Sequence, residues 1–546
     1  MPDIKNTASF SRGYRLISIC DKASDSGCRP SRDRTLARHN VGQRYPGEST
    51  ANRCVAGESE IDDRLSNRLV IMLTLAGILL TACNPFTPTM PISPAERLPR
   101  TFSLYTGETE PDQHWWESFN DPELNHLVSS ALSENFSLQE AWARLKQAKA
   151  IAVQAGAERY PQMDGVGNAL VGREKFTESS SNSVGVEDFN LGLIAGYELD
   201  LWGRIRSQQA AALLQAAASR EDVSTAAVTI AAEVANRWIQ IIAQRMQKQL
   251  LEEQLRVNKT LLELVELRFR MAIVSALDVY QQQQVVESVK AEIPLVERDE
   301  ELLRHELAIL LGRPPLTELG ITRSKLPQLA ALPPTGLPAD LLAARPDVKS
   351  AGLRLEAADW QIAAARAARL PALSLTARAR YGQGDLDLLF SNWLLSLAAN
   401  LSVPVLDGGR LAAEVDRTRA LADENLAVYY NTVLTAVKEV EDALVSEAKQ
   451  REHIQGLKQV VATARSALEE AGVRYQNGLN DYLPVLTQLL TVQGLERDLI
   501  RRQADLLTSR VQLHRALGGT WPQELTPFEM QRDNIGSRSP GEPSRG

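Results

Sequence analysis

Two hydrophobic rhythms run along the chain. The longer has the period of a helix. From Arg204 to Ile293 neither glycine nor proline interrupts 90 residues, and Ala, Leu, Gln, Glu and Arg dominate, a composition of strong helix propensity. Within it Leu251, Leu255, Asn258, Leu262, Val265 and Phe269 step by 4, 3, 4, 3 and 4 residues, a coiled-coil seam. Leu250, Val257, Leu261 and Leu264 form a second stripe beside it. Two stripes predict neighbours on two sides, which suits a closed ring of helices as well as a solid bundle. A turn is predicted at Met271 to Ser275, because the matching stretch Gln476 to Asn480 contains Asn477-Gly478. A helix from Arg204 to Arg270 would be about 100 Å long at about 1.5 Å per residue.

The shorter rhythm has period two. Phe189, Leu191, Leu193, Ala195, Tyr197 and Leu199 alternate with Asn190, Gly192, Ile194, Gly196, Glu198 and Asp200 over a strand predicted from Phe189 to Trp202. From Leu373 to Tyr381, Leu373, Leu375, Ala377, Ala379 and Tyr381 alternate with Ser374, Thr376, Arg378 and Arg380. A strand from Trp393 to Val405 carries Leu395, Leu397, Ala399, Leu401 and Val403 on one face. Gly165-Val166-Gly167 begins like a dinucleotide loop, but Leu170 holds the third glycine position, so it reads as a further strand. Such alternation marks strands of a membrane barrel, apolar toward lipid and polar toward the lumen, although an amphipathic soluble sheet shows the same pattern. Four strands cannot close a barrel of eight or more, so spanning requires several chains that each contribute four.

The pattern occurs twice. Glu198 to Arg204 (ELDLWGR) matches Pro404 to Arg410 (PVLDGGR) at an offset of 206, as do Arg268-Phe269 with Arg474-Tyr475 and Leu311-Gly312 with Leu517-Gly518. Arg159-Tyr160-Pro161 matches Arg369-Leu370-Pro371 at an offset of 210. Two copies of one unit are expected, each a helix, two strands and a long helical hairpin.

Leu69 to Leu80 is a 12-residue apolar run behind Arg64 and Arg68, too short for a stop-transfer helix and the right size for a signal sequence. It closes on Leu80-Thr81-Ala82-Cys83, which resembles the bacterial lipobox; the other reading is a buried helix with a core cysteine. The resemblance implies lipidation at Cys83, a signal peptide over residues 64–82, and outer rather than inner membrane retention, since Asn84 stands where an Asp favours the latter. Residues 1–63 lack periodicity and read as an N-terminal extension from a start codon assigned too early. The chain from Cys83 carries a net charge of −11 against −8 for the whole, which argues against nucleic acid as a partner. Three of the four cysteines precede Cys83, which leaves no thiol for a disulfide or metal. The six histidines, His39, His114, His126, His305, His453 and His514, show no metal spacing, and there is no Gly-x-Ser-x-Gly elbow. Neither an enzyme nor a cofactor site is expected.

Trp115 to Leu124 (WWESFNDPEL), Asn135, Ala141 to Ala148 (AWARLKQA), Tyr197 to Arg204 (YELDLWGR), Arg345-Pro346-Asp347, Ala365 to Pro371 (ARAARLP), Leu406 to Arg410 (LDGGR) and Arg515 to Trp521 (RALGGTW) occur in one order across nearly all of Cys83 to Trp521. In these motifs the chain resembles the outer membrane factors of tripartite efflux systems, in particular NodT-type lipoproteins of the TolC-like family. The resemblance implies an α+β membrane protein with first and second repeats over residues 83–312 and 347–521, a Pro-rich equatorial joint over 313–346 and a disordered tail over 522–546. It implies a homotrimer with a 12-stranded outer membrane β-barrel continued by a periplasmic α-helical barrel. Such a channel conducts drugs or other small molecules passively, with a periplasmic adaptor and an inner membrane pump of the resistance-nodulation-division type as partners. Metal efflux and type I protein secretion remain alternatives. So does a periplasmic adaptor lipoprotein, although that needs one hairpin flanked by Gly-rich β domains rather than two copies of this unit.

By the same resemblance, residues 179–183 and 382–390 fall in extracellular loops. The hairpin ends that meet the adaptor are Arg268, Phe269, Ala272, Ser275 and Leu277, and Arg474, Tyr475, Gly478, Asn480 and Leu483. Phe269 and Tyr475 also fit as core aromatics at a helix end. Family members often carry an Asp ring just past the second tip. The aligned positions here are Pro484 and Thr487, so Asp278, Asp481 and Thr487 are the candidate gate, with helix capping the competing role for both acids.

Overall fold

The computed structural model of the protein describes residue 86 and residues 98–104, 114–174 and 184–519. All lie within one compact unit, Leu73–Gly546. Cys83, the apolar run before it, the 179–183 loop and Trp521 lie outside the described residues.

After a 3₁₀ turn at Trp115–Phe119 come helices α1 (Pro122–Glu134) and α2 (Phe136–Ala157), strands β1 (Gln162–Glu174) and β2 (Val184–Leu199), and helices α3 (Arg204–Arg270) and α4 (Ala276–Leu310). Beyond the joint, α5 (Pro346–Ala367), β3 (Ala372–Gln383), β4 (Trp393–Ser402), α6 (Arg410–Gln476) and α7 (Tyr482–Ala516) follow in the same order. The long helices have 67 residues each and their partners 35 each. The turn predicted at Met271 to Ser275 is where α3 gives way to α4. Asp200 starts α3, its carboxylate accepting from the Ile205 and Arg206 amides at 3.1 and 2.8 Å; Asp407 does the same for Leu411 in α6 at 2.9 Å.

Helix α3 is too long for any one neighbour. Its lower part packs against α4 and its upper part against α2. Ion pairs Arg245–Glu300 (2.7 Å) and Arg237–Glu306 (2.7 Å) and the Arg159 to Gln209 hydrogen bond (2.9 Å) mark the two stretches. The ends of α4 and α2 therefore meet. Asn135 joins them: its Oδ1 accepts from the Leu138 amide at 3.0 Å and caps α2, while its Nδ2 donates to the Leu310 carbonyl at 2.8 Å at the end of α4. Arg345 occupies the matching place between α7 and α5, donating to the Ala516 carbonyl at 2.9 Å and to Asp347 and Glu439. Gly312 makes the first junction possible. Its φ is +68°, and a Cβ there would lie 2.5 Å from the Glu134 carbonyl.

The helices lie side by side in the order α4, α3, α7, α6 below and α2, α3, α5, α6 above. The core sits where α3 buries the widest part of its surface. Ala227, Ala231, Val234, Trp238, Ile239 and Ile242 are buried there against Trp115, Leu124, Leu127 and Val511, with Leu319, Leu326 and Leu329 of the joint packed on. Polar contacts pin the joint down. The Trp238 indole donates to Glu123 at 2.9 Å, Glu123 accepts from the Thr322 amide at 2.8 Å, and Asp121 pairs with Arg323. Farther along, Arg510 is buried with Glu447 (2.6 Å) and donates to the Ala331 carbonyl at 2.9 Å.

The strands form one antiparallel sheet in the order β1-β2-β3-β4. Two predicted boundaries are corrected. The second strand runs from Val184 to Leu199 rather than from Phe189 to Trp202, because Asp200 and Trp202 turn away to cap and anchor α3; Trp202 donates to the Pro371 carbonyl at 2.7 Å. The fourth ends at Ser402, short of Val405, where Pro404 has no amide to give. The register places Leu193 opposite Ala379 and Ala379 opposite Leu395, and Leu191, Tyr381 and Trp393 form the next row. One face is thus a continuous apolar surface, with Leu193 52%, Leu395 67%, Leu397 78% and Leu401 67% exposed in a single chain.

Asn135→Ala removes both the cap and the junction donor and should destabilise the fold by about 1–3 kcal/mol, read as a lower melting temperature. Asn135→Asp keeps the cap acceptor but sets a carboxylate oxygen against the Leu310 carbonyl, so it should not restore the loss. His514 stacks on Trp115 with ring centroids 5.3 Å apart, and burial, then the nearby Arg510 charge, lowers its pKa from 6.5 to about 4. The unfolded chain therefore takes up a proton below pH 6.5 that the folded chain refuses. Stability should fall by about 2 kcal/mol between about pH 6.5 and 5, and His514→Phe should flatten that slope in denaturation curves against pH.

Candidate functional site

The hairpin ends are two versions of one turn. In the first, the Ile273 amide donates to the Arg268 carbonyl at 2.9 Å and the Ala272 amide to Phe269 at 2.9 Å; in the second, Leu479 donates to Arg474 at 2.9 Å and Gly478 to Tyr475 at 3.1 Å. Both helices end with a left-handed residue, φ +55° at Ala272 and +72° at Gly478. Glycine takes that conformation freely and alanine does not, so the first turn holds strain the second lacks.

The two turns touch. The Arg268 guanidinium lies 4.4 Å from the Tyr475 ring centroid and donates to the carbonyls of Tyr475 (3.3 Å) and Gln476 (3.4 Å), where α6 ends. Tyr475 is buried against Tyr482 with centroids 5.5 Å apart, so it is a core aromatic, whereas Phe269 is exposed. Ala272, Ser275, Leu277, Arg474, Gly478 and Leu483 are also exposed, and Arg268 and Asn480 are half-buried. Met271, Ile273, Tyr280 and Leu479 are exposed beside them and were missed in the sequence. Four large apolar residues in and beside two predicted turns are a signal in themselves.

Just inside the turns lies a buried polar network that helical periodicity does not reveal. The Tyr482 hydroxyl donates to Gln282 Oε1 at 2.5 Å, Gln282 Nε2 donates to the Asn258 carbonyl at 2.8 Å, and the Asn258 and Gln493 amides exchange bonds of 3.3 and 3.2 Å. Gln254 adds a bond to the Gln493 carbonyl at 3.2 Å. The network ties α3 to α4 and to α7, and Asn258 is the polar position of the predicted seam. Of the second stripe, Leu250 and Leu261 pack against buried clusters, whereas Val257 is 51% and Leu264 38% exposed, so the described residues cover that face only in part. Burial, then Tyr475, raises the Tyr482 pKa and keeps its phenol a neutral donor.

The candidate gate residues differ. Asp278 accepts from the Ser275 amide and hydroxyl, both at 2.9 Å, and completes a capping box at the start of α4, so its carboxylate is committed to the helix end. Asp481 occupies the N-cap of α7, is exposed, and makes no capping bond through its side chain. Thr487 donates back to the Leu483 carbonyl at 2.8 Å. Among the described residues no group of three or more His, Cys, Asp or Glu is placed to hold a metal ion.

Paired helical hairpins of such length, joined to a four-stranded sheet that is apolar on one face, make up the architecture of TolC-like outer membrane channels. The family model for outer membrane efflux proteins matches residues 127–313 and 337–519, and the chain belongs to that family. It is 33% identical over 426 residues to the pyoverdine export outer membrane protein OpmQ of Pseudomonas aeruginosa, covering 76% of this chain and 88% of that protein. To the solvent efflux pump outer membrane protein SrpC of Pseudomonas putida it is 32% identical over 411 residues, 74% of this chain and 87% of that one. The solved outer-membrane channel OprN superposes with a TM-score of 0.72 at 28% identity, over 80% of this chain and 98% of its own. VceC of Vibrio cholerae superposes with a TM-score of 0.70 at 29% identity, over 76% and 100%. The protein is an outer membrane efflux component and not an enzyme.

Tyr482→Phe would leave Gln282 Oε1 buried without its donor. It should cost about 1–3 kcal/mol and speed hydrogen exchange at amides of α3 and α4 around Asn258 and Gln282, with little change near Asn135.

Proposed function

We propose that three copies close into one channel, a 12-stranded barrel in the outer membrane continued by a ring of helices about 100 Å long. The observation that carries this reading is the sheet. It has one apolar face and two open edges, β1 and β4, and open edges within a bilayer must be paired. With four strands per chain, pairing β4 of one copy with β1 of the next supplies twelve. The helices support it: α2 and α4 form one flank and α6 the other, with Ile151, Leu302, Leu434 and Val445 exposed along them.

In this assembly residues 83–312 and 347–521 are two repeats about the 313–346 joint, Cys83 carries the lipid anchor, and the loop between β3 and β4, residues 384–392, faces the exterior. The two turns form the periplasmic tips and dock a periplasmic adaptor through Phe269, Leu277, Leu483 and Arg474, while Asp481 and Thr487 border the pore. Transport is passive, driven by an inner membrane pump of the resistance-nodulation-division type. Small organic molecules are the cargo class, a reading supported by the pyoverdine and solvent efflux named for its relatives.

Membrane fractionation followed by light scattering of the detergent-extracted protein tests the assembly. A trimer in the outer membrane fraction, with Cys83→Ala losing its lipid, is expected; a soluble monomer would exclude the barrel. Leu397→Arg, mid-strand on the apolar face, should cost about 2–4 kcal/mol of insertion and reduce the yield of assembled trimer.

A further inference from the structure

On the face opposite the leucines, β3 presents two arginines. Arg378 pairs in register with Ile194 and Ser396, and Arg380 with Gly192 and Leu394. Both are exposed, and among the described residues neither forms an ion pair or hydrogen bond. No described acidic side chain on this face forms an ion pair with them. Glu198 is held by Arg204 at 2.8 Å, Asp188 accepts from Asn190 at 2.7 Å, and Asp164 shares the Arg378 row two strands away, about 10 Å at the usual strand spacing. Gly192 gives Arg380 its room. A Cβ there would meet Arg380 Cβ at 2.8 Å and the Ala379 carbonyl at 2.6 Å. Because β3 is an inner strand of the sheet, the pair stays on this face however the edges close.

We infer that Arg378 and Arg380 line the lumen as a two-tiered ring that binds and favours anionic solutes, polyanions above all. The inference rests on the trimeric barrel proposed above. Three copies bring six guanidinium groups to the wall, in tiers about 7 Å apart along the strand. Low-dielectric walls focus the field of such a ring, and guanidinium forks suit carboxylate, phosphate and sulfonate oxygens.

Single-channel recording of the purified full-length trimer across a KCl gradient, with tripolyphosphate added on the loop side, tests this. The native channel should be blocked by tripolyphosphate. In Arg378→Gln/Arg380→Gln, the reversal potential should shift toward cations and the half-blocking concentration should rise by about tenfold or more, while Arg378→Lys/Arg380→Lys keeps both properties. A Gln variant that is trimeric by light scattering and conducts with unchanged selectivity and block overturns the arginine ring alone. A native trimer without conductance overturns the channel reading and the ring with it.

Discussion

A 67-residue helix about 100 Å long cannot be covered by a partner of 35 residues about 52 Å long, and the rest of this fold answers that mismatch. Two shorter helices set end to end cover one flank of α3, and two more lie between α3 and α6. Where their ends meet, free carbonyls of one helix face free amides of the next, and both junctions lie within the packed layer. Asn135 and Arg345 solve the same problem with different chemistry. Asn135 caps one helix through its oxygen and serves the other through its nitrogen, whereas Arg345 is buried, reaches the Ala516 carbonyl and depends on Asp347 and Glu439 to offset its charge.

The sheet carries a second constraint. Among the described residues, an apolar surface built from Leu193, Leu395, Leu397 and Leu401 has no cover inside one chain, and neither edge strand has a partner on its outer side. In water this would be an aggregation hazard; in a bilayer it is half of the answer, and pairing of the edges is the other half. The exposed apolar residues of α2, α4 and α6 make the same demand on the helical part. The single chain is therefore a folded but incomplete object, stable at its core around Trp238 and open along both flanks.

The two hairpins share one geometry and differ in the residues that build it. A left-handed residue ends each long helix, yet only the second turn uses glycine, and Arg268 of the first turn caps the second through the Tyr475 and Gln476 carbonyls. This binds the two ends into one body, with Gln282, Asn258, Gln493 and Tyr482 fastening the helices behind them. The acids suspected of lining a pore differ too: Asp278 is spent on a capping box, and Asp481 faces solvent.

Much of this was legible along the chain because it rests on local periodicity. The uninterrupted helical composition located α3 and its turn, alternation located the strands to within a few residues, and the motifs from Trp115 to Trp521 indicated the family. What escaped depends on residues far apart in sequence. Asn258 reads as a flaw in a hydrophobic seam until Gln493, 235 residues away, meets it. Tyr475 and Phe269 occupy the same place in the two hairpins, and only packing buries one and exposes the other. Strand ends were set by the Asp200 cap, the Trp202 anchor and the missing amide of Pro404 rather than by hydropathy. Periodicity specifies which face of an element is apolar; which neighbour covers that face, and which polar groups are buried with it, is decided only when the elements meet.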